Sequence, residues 1–248
     1  MIRIDGRRWG RAMALGASLA LATAGLRSPL TARLPGGGTI TGKIVFTGPA
    51  PKPVMIDMSE EPDCQSEYKT APRQETLVVN PNGTLANVLV YVTAGLPADS
   101  QFPPPATPVV LDQGGCMYHP HVFAMMVNQP LEIRNSDPVL HNIKALGKKN
   151  RPFNVSEPTA GMKMTRTFTA AEIVPLECNV HGWMHAYVGV FTHPYFAVTG
   201  TDGHYTISGL PPGTYTIETW QEQLGTQQMT VTVGAGETKT ADATYSGS

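Results

Sequence analysis

The architecture of this chain can be inferred from residues 178–184, Cys-Asn-Val-His-Gly-Trp-Met, taken together with His141, which lies 37 positions upstream. The two segments offer one thiol, two imidazoles and one thioether. Three of the four donors fall within seven residues, so a single tight loop can present them on one side. The separation from His141 is typical of a β-sandwich in which one strand end supplies a histidine and a later loop supplies the rest.

This donor set favours copper. Thiolate and thioether sulfur stabilise Cu(I), whereas imidazole nitrogen binds both Cu(I) and Cu(II), so the combination suits an ion that changes oxidation state. We predict one type 1 copper with Cys178 as thiolate ligand, His141 and His181 as imidazole ligands, and Met184 as the weak axial ligand. The metal would keep the thiol deprotonated. His185 directly follows Met184 and could replace it, although a surface position is favoured.

The cysteine count bears on the same site. The chain has three cysteines, Cys64, Cys116 and Cys178. Disulfides persist in an oxidising compartment, and an odd count leaves one thiol that needs a separate role. The economical prediction is a Cys64–Cys116 disulfide, because only Cys178 has histidine and methionine at ligand spacing. A different pairing, with the third thiol incidental, stays open.

The N-terminus has the pattern of an export signal. Four arginines precede an apolar run over residues 12–26, and residues 22–24 (Ala-Thr-Ala) form a small-residue cleavage site. The run is short for a membrane span. We predict a signal peptide over residues 1–24, a linker over residues 25–38 and a periplasmic or secreted protein without a membrane span in its mature chain. An uncleaved anchor is the alternative.

Charge excludes two classes of partner. The whole chain has 18 basic and 19 acidic residues, and residues 1–24 contain four Arg and one Asp, so the mature chain keeps 14 basic against 18 acidic residues. A net charge of −4 favours neither nucleic acid nor an anionic membrane surface.

Composition and periodicity predict an all-β protein. The chain has 25 Gly, 22 Pro and only 15% charged residues, which is typical of short strands joined by tight turns. Apolar or alternating strand patterns cover residues 40–45, 85–93, 122–127, 131–135, 186–191 and 204–207. From residue 194 onward, turn signals recur every eight to twelve residues, as in a β-sandwich. Five prolines within residues 95–108 mark a boundary.

Residues 109–193 resemble a small cupredoxin domain of the amicyanin type. The resemblance is carried by residues 128–131 (Asn-Gln-Pro-Leu), by residues 135–137 (Asn-Ser-Asp) ahead of His141-Asn142, and by the spacing within residues 178–184. It implies a Greek-key β-sandwich and places the Asn142 amide near the thiolate sulfur, where a hydrogen bond would adjust the reduction potential. Trp183, with Pro138, is expected to form an apolar rim around His181 through which electrons pass.

Residues 195–245 resemble a carboxypeptidase-regulatory-like, transthyretin-like β-sandwich. Residues 201–205 (Thr-Asp-Gly-His-Tyr) and residues 209–215 (Gly-Leu-Pro-Pro-Gly-Thr-Tyr) carry this resemblance, and the strands at residues 40–45 and 88–92 fit the opening strands of that family. We therefore predict a discontinuous regulatory-like sandwich over residues 39–100 and 194–245. The cupredoxin domain, residues 109–193, would be inserted into it.

These features predict an electron carrier that exchanges one electron with redox protein partners and is not an enzyme. Two other functions stay open. Eleven Met and seven His suggest a copper chaperone or storage protein, and the regulatory-like sandwich suggests a non-catalytic module that binds carbohydrate or protein. A soft-metal site at residues 116–121 (Cys-Met-Tyr-His-Pro-His) is disfavoured, because Cys116 is better used in a disulfide. Met125, Met126, Met162 and Met164 could load copper but are expected to fill gaps in the core.

Overall fold

The computed structural model describes residues 36–247. The predicted signal peptide, residues 1–24, and residues 25–35 of the predicted linker lie outside this range. Within it the chain forms seventeen strands and one helix of five residues, which confirms the predicted all-β class. No helix among these residues is both long enough and apolar enough to cross a bilayer.

The elements follow one another along the chain as β1 (Gly38–Thr47), α1 (Pro62–Ser66), β2 (Leu89–Ala94), β3 (Val109–Gly114), β4 (Met117–His119), β5 (Val122–Met126), β6 (Leu131–Asn135), β7 (His141–Ala145), β8 (Phe153–Glu157), β9 (Lys163–Arg166), β10 (Glu172–Glu177), β11 (His185–Phe191), β12 (Phe196–Val198), β13 (His204–Leu210), β14 (Gly213–Gln221), β15 (Gly225–Val233), β16 (Thr238–Thr240) and β17 (Ala243–Ser246).

Two sheets are built from strands that either precede residue 109 or follow residue 191. One has the order β13–β1–β16, with β17 also paired to β1, and the other has the order β12–β2–β14–β15. Alternation along β1 and β14 places Ile40, Ile44, Tyr215 and Ile217 in one buried hydrophobic cluster. The turn before β13 requires glycine at Gly203, because its φ is +70° and a Cβ would lie 2.2 Å from that of Thr84.

Two further sheets are built from residues 109–191. Their strand orders are β5–β11–β10–β7–β8 and β4–β3–β6–β9. Their apolar side chains form a second cluster that includes Leu111, Ile133, Leu176 and Val188, all fully buried. Burial of each such side chain stabilises the fold by about 1.5–3 kcal/mol. Among residues 36–247, every strand of these two sheets comes from residues 109–191, as the predicted insertion requires. The domain boundaries themselves stay a prediction.

Two strands beside the candidate site were not predicted. His141, which we expected at a strand end, is the first residue of β7. Its antiparallel neighbour β8 is short, and its Phe153 and Val155 pack against the core while Asn154 and Ser156 are exposed. β8 is ordered by pairing with β7, in a register that sets His141 opposite Glu157.

Residues 55–73, here termed the cover segment, lie between β1 and β2 in the chain. An isolated bridge between Met55 and Arg73 closes the segment at its base, and α1 lies in its middle. The predicted disulfide is confirmed, since Cys64 of α1 is bonded to Cys116, 52 residues further on. This bond fastens the cover segment to the turn between β3 and β4. The buried cluster around it contains Ile56, Met58, Cys64, Cys116 and Met117, with Tyr68, Val139 and Trp183 packed against it.

Candidate metal centre

Three strand ends bring the predicted ligands together. His141 is the first residue of β7, Cys178 directly follows β10, and Met184 directly precedes β11. β10 pairs with both β7 and β11, so the ends of the three strands lie side by side. The loop between β10 and β11 is tight, because the Cys178 N–H donates to the Met184 carbonyl over 3.0 Å and the Met184 N–H donates to the His181 carbonyl over 3.0 Å.

The donor atoms of His141, Cys178 and His181 converge. The Nδ1 atoms of the two imidazoles are 3.2 Å apart, and the Cys178 Sγ lies 3.9 Å from the His181 Nδ1. All three donor atoms lie within 4.8 Å of one another. The three residues are buried, as is Met184, which packs in the same hydrophobic cluster as Cys178. The structure therefore brings the predicted thiolate and imidazoles together and places Met184 at the end of the same loop.

Hydrogen bonds favour the thiolate form of Cys178. Burial alone would raise the pKa of this thiol, but hydrogen bonds from His141, His181 and the backbone N–H groups of His181 and Val180 outweigh it and lower the pKa to about 5. A thiolate at neutral pH is the form that binds a soft metal. Cys178 is also the free cysteine among the described residues, as its role as a ligand requires.

Asp137 holds His141 in place and was not predicted to do so. Its Oδ2 accepts a hydrogen bond of 2.7 Å from the His141 Nε2 and another of 2.7 Å from the Cys116 N–H. Its Oδ1 accepts from the Gly115 N–H over 2.7 Å. Burial opposes the charge on Asp137, but these donors outweigh it and lower the pKa of the carboxyl. The four-residue spacing between Asp137 and His141 was visible in the sequence, but the loop conformation that uses it was not.

His141 and Asp137 each stabilise the charged form of the other. Burial would lower the pKa of His141, but the hydrogen bond that its Nε2 donates to Asp137 and the neighbouring Cys178 raise it to about 9. With Asp137 on its Nε2, His141 turns its Nδ1 towards the thiol. A carboxylate on the outer nitrogen of a metal-binding histidine fixes the ring and raises its basicity.

Asn142 lies beside the site but differs from its predicted role. Its amide nitrogen has two N–H groups, and these donate to the Asn154 Oδ1 over 2.7 Å and to the Val155 carbonyl over 3.0 Å, which directs both donors away from the sulfur. Its Oδ1 accepts from the Asn179 N–H over 3.2 Å. Asn142 therefore ties β7 to β8 and to the loop that carries Cys178.

The cover segment lies against the outer edge of His181. The Cys64 Sγ is 3.5 Å from the His181 Nε2, and His181 is only 2% exposed. Trp183 packs beside this histidine at a ring separation of 5.3 Å and donates from Nε1 to the Cys116 carbonyl over 3.0 Å. The expected contact of Trp183 with His181 is present. We expected an apolar rim around this imidazole, but the disulfide and the cover segment also lie against it and enclose it.

The structure also contains a second group of possible ligands, His121, His185 and Glu222. His185 was expected at the surface, yet it is half-buried and lies 3.4 Å from the Glu222 carboxylate. Cys116 cannot act as a ligand of the alternative soft-metal site at residues 116–121, because its sulfur is in the disulfide. The sequence offered no sign of Glu222 as a partner, since it is 101 positions from His121.

Comparison with known families supports the regulatory-like part of the predicted architecture. The family model of the carboxypeptidase regulatory-like domain matches residues 185–246, which confirms the predicted resemblance of the C-terminal part of the chain. The matched segment begins with β11 and ends with β17. No curated protein matches the sequence.

Solved structures similar to part of the chain include copper proteins. A copper-containing nitrite reductase from Thermus scotoductus SA-01 has 19% identity and a TM-score of 0.33, over 40% of this chain and 25% of that one. A mutant of amicyanin with Cu(I) has 19% identity and a TM-score of 0.31, over 34% and 81%. A purple cupredoxin from Nitrosopumilus maritimus has 21% identity and a TM-score of 0.29, over 33% and 97%. Likenesses this partial carry no evidence of activity, so function is inferred from the residues of the site.

Proposed function

We propose that His141, Cys178, His181 and Met184 bind one type 1 copper ion and that the protein is an exported one-electron carrier. The observation that carries this proposal is the convergence of a stabilised thiolate and two imidazoles in a buried position. Bound there, copper would alternate between Cu(I) and Cu(II) and so carry one electron. The donor chemistry fits this ion, because two soft sulfur donors and two imidazoles match the known ligands of such sites.

The chain itself contributes binding, orientation and exclusion of water. Cys178 is presented as a thiolate, and Asp137 holds the ring of His141. The ligands lie at the ends of paired strands, so their positions change little when the charge of the ion changes. Burial of all four side chains keeps water and substrates away from them. These features favour electron transfer over substrate chemistry, and we propose that the protein is not an enzyme at this site.

A redox protein partner would approach a surface close to the ligands. Leu140 and Val180 are 44% and 41% exposed, and each lies one residue before a proposed histidine ligand. Exposed apolar side chains at such positions suit a weak, transient contact with another protein. The partner would therefore be a protein, rather than the nucleic acid or anionic membrane that the net charge disfavours.

We further propose the predicted organisation for the mature chain. The cupredoxin-like sandwich, residues 109–193, would be inserted into the regulatory-like sandwich, residues 39–100 and 194–245, after removal of residues 1–24. The separate clusters of buried side chains support this division. Storage of several copper ions is less favoured, because Met125 and Met126 are buried core residues.

Copper titration followed by visible absorption tests the proposal. One equivalent of Cu(II) should turn the full chain intensely blue, and reduction followed by reoxidation should remove and restore the colour. Cys178→Ser should remain folded and stay colourless, whereas the matched control His204→Ala, at an exposed histidine, should stay blue. A wild type that binds copper without colour would refute the type 1 site. Uptake of several Cu(I) ions per chain without reversible oxidation would indicate storage instead.

A further inference from the structure

A second cluster of donors lies outside the proposed copper site. His121 directly precedes β5, His185 is the first residue of β11, and Glu222 directly follows β14 in the turn to β15. The side chains of His121 and Glu222 are 2% and 5% exposed, and that of His185 is 29% exposed. One donor atom from each residue lies within 4.8 Å of the other two. Three distant segments of the chain thus place two imidazoles and a carboxylate together.

Backbone contacts orient both imidazoles towards the carboxylate. The Nδ1 of His121 lies 3.1 Å from the His185 carbonyl, and the Nδ1 of His185 lies 3.1 Å from the Trp183 carbonyl. A carbonyl oxygen only accepts hydrogen bonds, so each Nδ1 carries the proton. The Nε2 atoms then face Glu222, His121 in direct hydrogen-bond contact and His185 at 3.4 Å. Metal-binding histidines are commonly oriented in this way by a backbone carbonyl on the outer nitrogen.

The arrangement favours positive charge at its centre. Two imidazoles protonated at Nδ1 direct their Nε2 lone pairs at the Glu222 carboxylate, so the cluster needs one cation or additional protons between the three groups. A divalent ion satisfies all three donors at once. In a tetrahedral site with bonds of about 2.0–2.1 Å, neighbouring ligand atoms are about 3.3 Å apart, and the His185–Glu222 separation of 3.4 Å already matches this value.

We propose that His121, His185 and Glu222 form a second metal site, which binds Zn²⁺ with water as the fourth ligand. Two nitrogen donors and one oxygen donor without sulfur suit this ion. The direct hydrogen bond between His121 and Glu222 is replaced by one bond from each to the metal. The His185 side chain is partly exposed, so water can reach the cluster. Glu222 follows β14, which belongs to the sheet β12–β2–β14–β15, whereas the histidines lie at the starts of β5 and β11 in the sheet β5–β11–β10–β7–β8. The ion would therefore join these two sheets.

Zinc binding by the copper-loaded full chain tests the proposal. Equilibrium dialysis against Zn²⁺, with both metals measured by mass spectrometry, should give one zinc per chain in addition to the copper. Glu222→Gln should weaken zinc binding by at least about 100-fold, because it removes one of three protein ligands, and loss of even an outer hydrogen-bond partner costs 10–100-fold. His185→Ala should do the same, while His204→Ala should leave the affinity unchanged.

Two further measurements separate this site from the copper site. Cys178→Ser should still bind one zinc, and copper-loaded Glu222→Gln should have the same visible absorption spectrum as the copper-loaded wild type. Zinc should raise the melting temperature of the wild type and leave that of Glu222→Gln unchanged. Anomalous diffraction at the zinc edge should give a peak between the three side chains of the wild type. Absence of that peak, or equal zinc binding by the wild type, Glu222→Gln and His185→Ala, would show that protons alone hold the cluster together.

Discussion

Replacement of Asp137 by asparagine should weaken the binding of Cu(II) and raise the reduction potential of the proposed copper site. The Asp137 side chain is 8% exposed and its carboxylate accepts a 2.7 Å hydrogen bond from the His141 Nε2. Asparagine has nearly the same shape but no charge, so it can fill the position without supporting the basicity of the imidazole. The substitution therefore isolates the electrostatic contribution of the carboxylate.

The size of the effect follows from the contact. Loss of such an outer partner typically costs 10–100-fold in metal affinity, which corresponds to about 1.4–2.7 kcal/mol. Cu(II) carries the higher charge and depends more on a basic imidazole than Cu(I) does. If the whole loss falls on Cu(II), the potential rises by about 60–120 mV, since each tenfold change is worth about 59 mV for one electron.

The assay combines chelator competition for Cu(II) with a redox titration followed by the visible band. Asp112→Asn is the matched control, because the Asp112 carboxylate accepts a 2.6 Å hydrogen bond from the Ser136 hydroxyl at an exposed position. That variant should keep the affinity and potential of the wild type. A folded Asp137→Asn protein with an unchanged affinity and potential would refute the role assigned to this carboxylate.

Two stability predictions concern the surroundings of the site. Replacing Cys64 and Cys116 together by alanine should lower the free energy of unfolding by about 4 kcal/mol, from the loop entropy of a 52-residue separation; a loss below about 1 kcal/mol in urea denaturation would contradict this role. Burial would raise the pKa of Glu172, but hydrogen bonds from the N–H groups of residues 148–150 hold it below its ordinary value. The ionised carboxylate therefore adds to the free energy of unfolding above about pH 4.3, and this stabilisation is lost as the pH falls through the folded-state pKa. Glu172→Gln should therefore cost about 1 kcal/mol at pH 7, allowing for partial exposure, and almost nothing near pH 2; an equal cost at both pH values would show that charge is not involved.

Much of the architecture could be predicted because its signals are local. Strand alternation and turn residues act over a few positions, and they predicted the all-β class. The donors Cys178, His181 and Met184 lie in one short loop, so their spacing alone brings them close in any compact fold. The odd number of thiols predicted the Cys64–Cys116 disulfide, because a thiol kept for a metal cannot also form a bridge.

Other contacts join segments that no local pattern relates. The carboxylate of Asp137 reaches His141 only in the turn conformation that the Gly115 and Cys116 N–H groups stabilise. The cover segment meets His181 because a disulfide spans 52 residues. Glu222 meets His121 across 101 residues, where the register of several sheets sets which side chains face one another. Local sequence therefore specifies which donors are available, whereas strand pairing over long separations specifies what surrounds them and which distant residues join them.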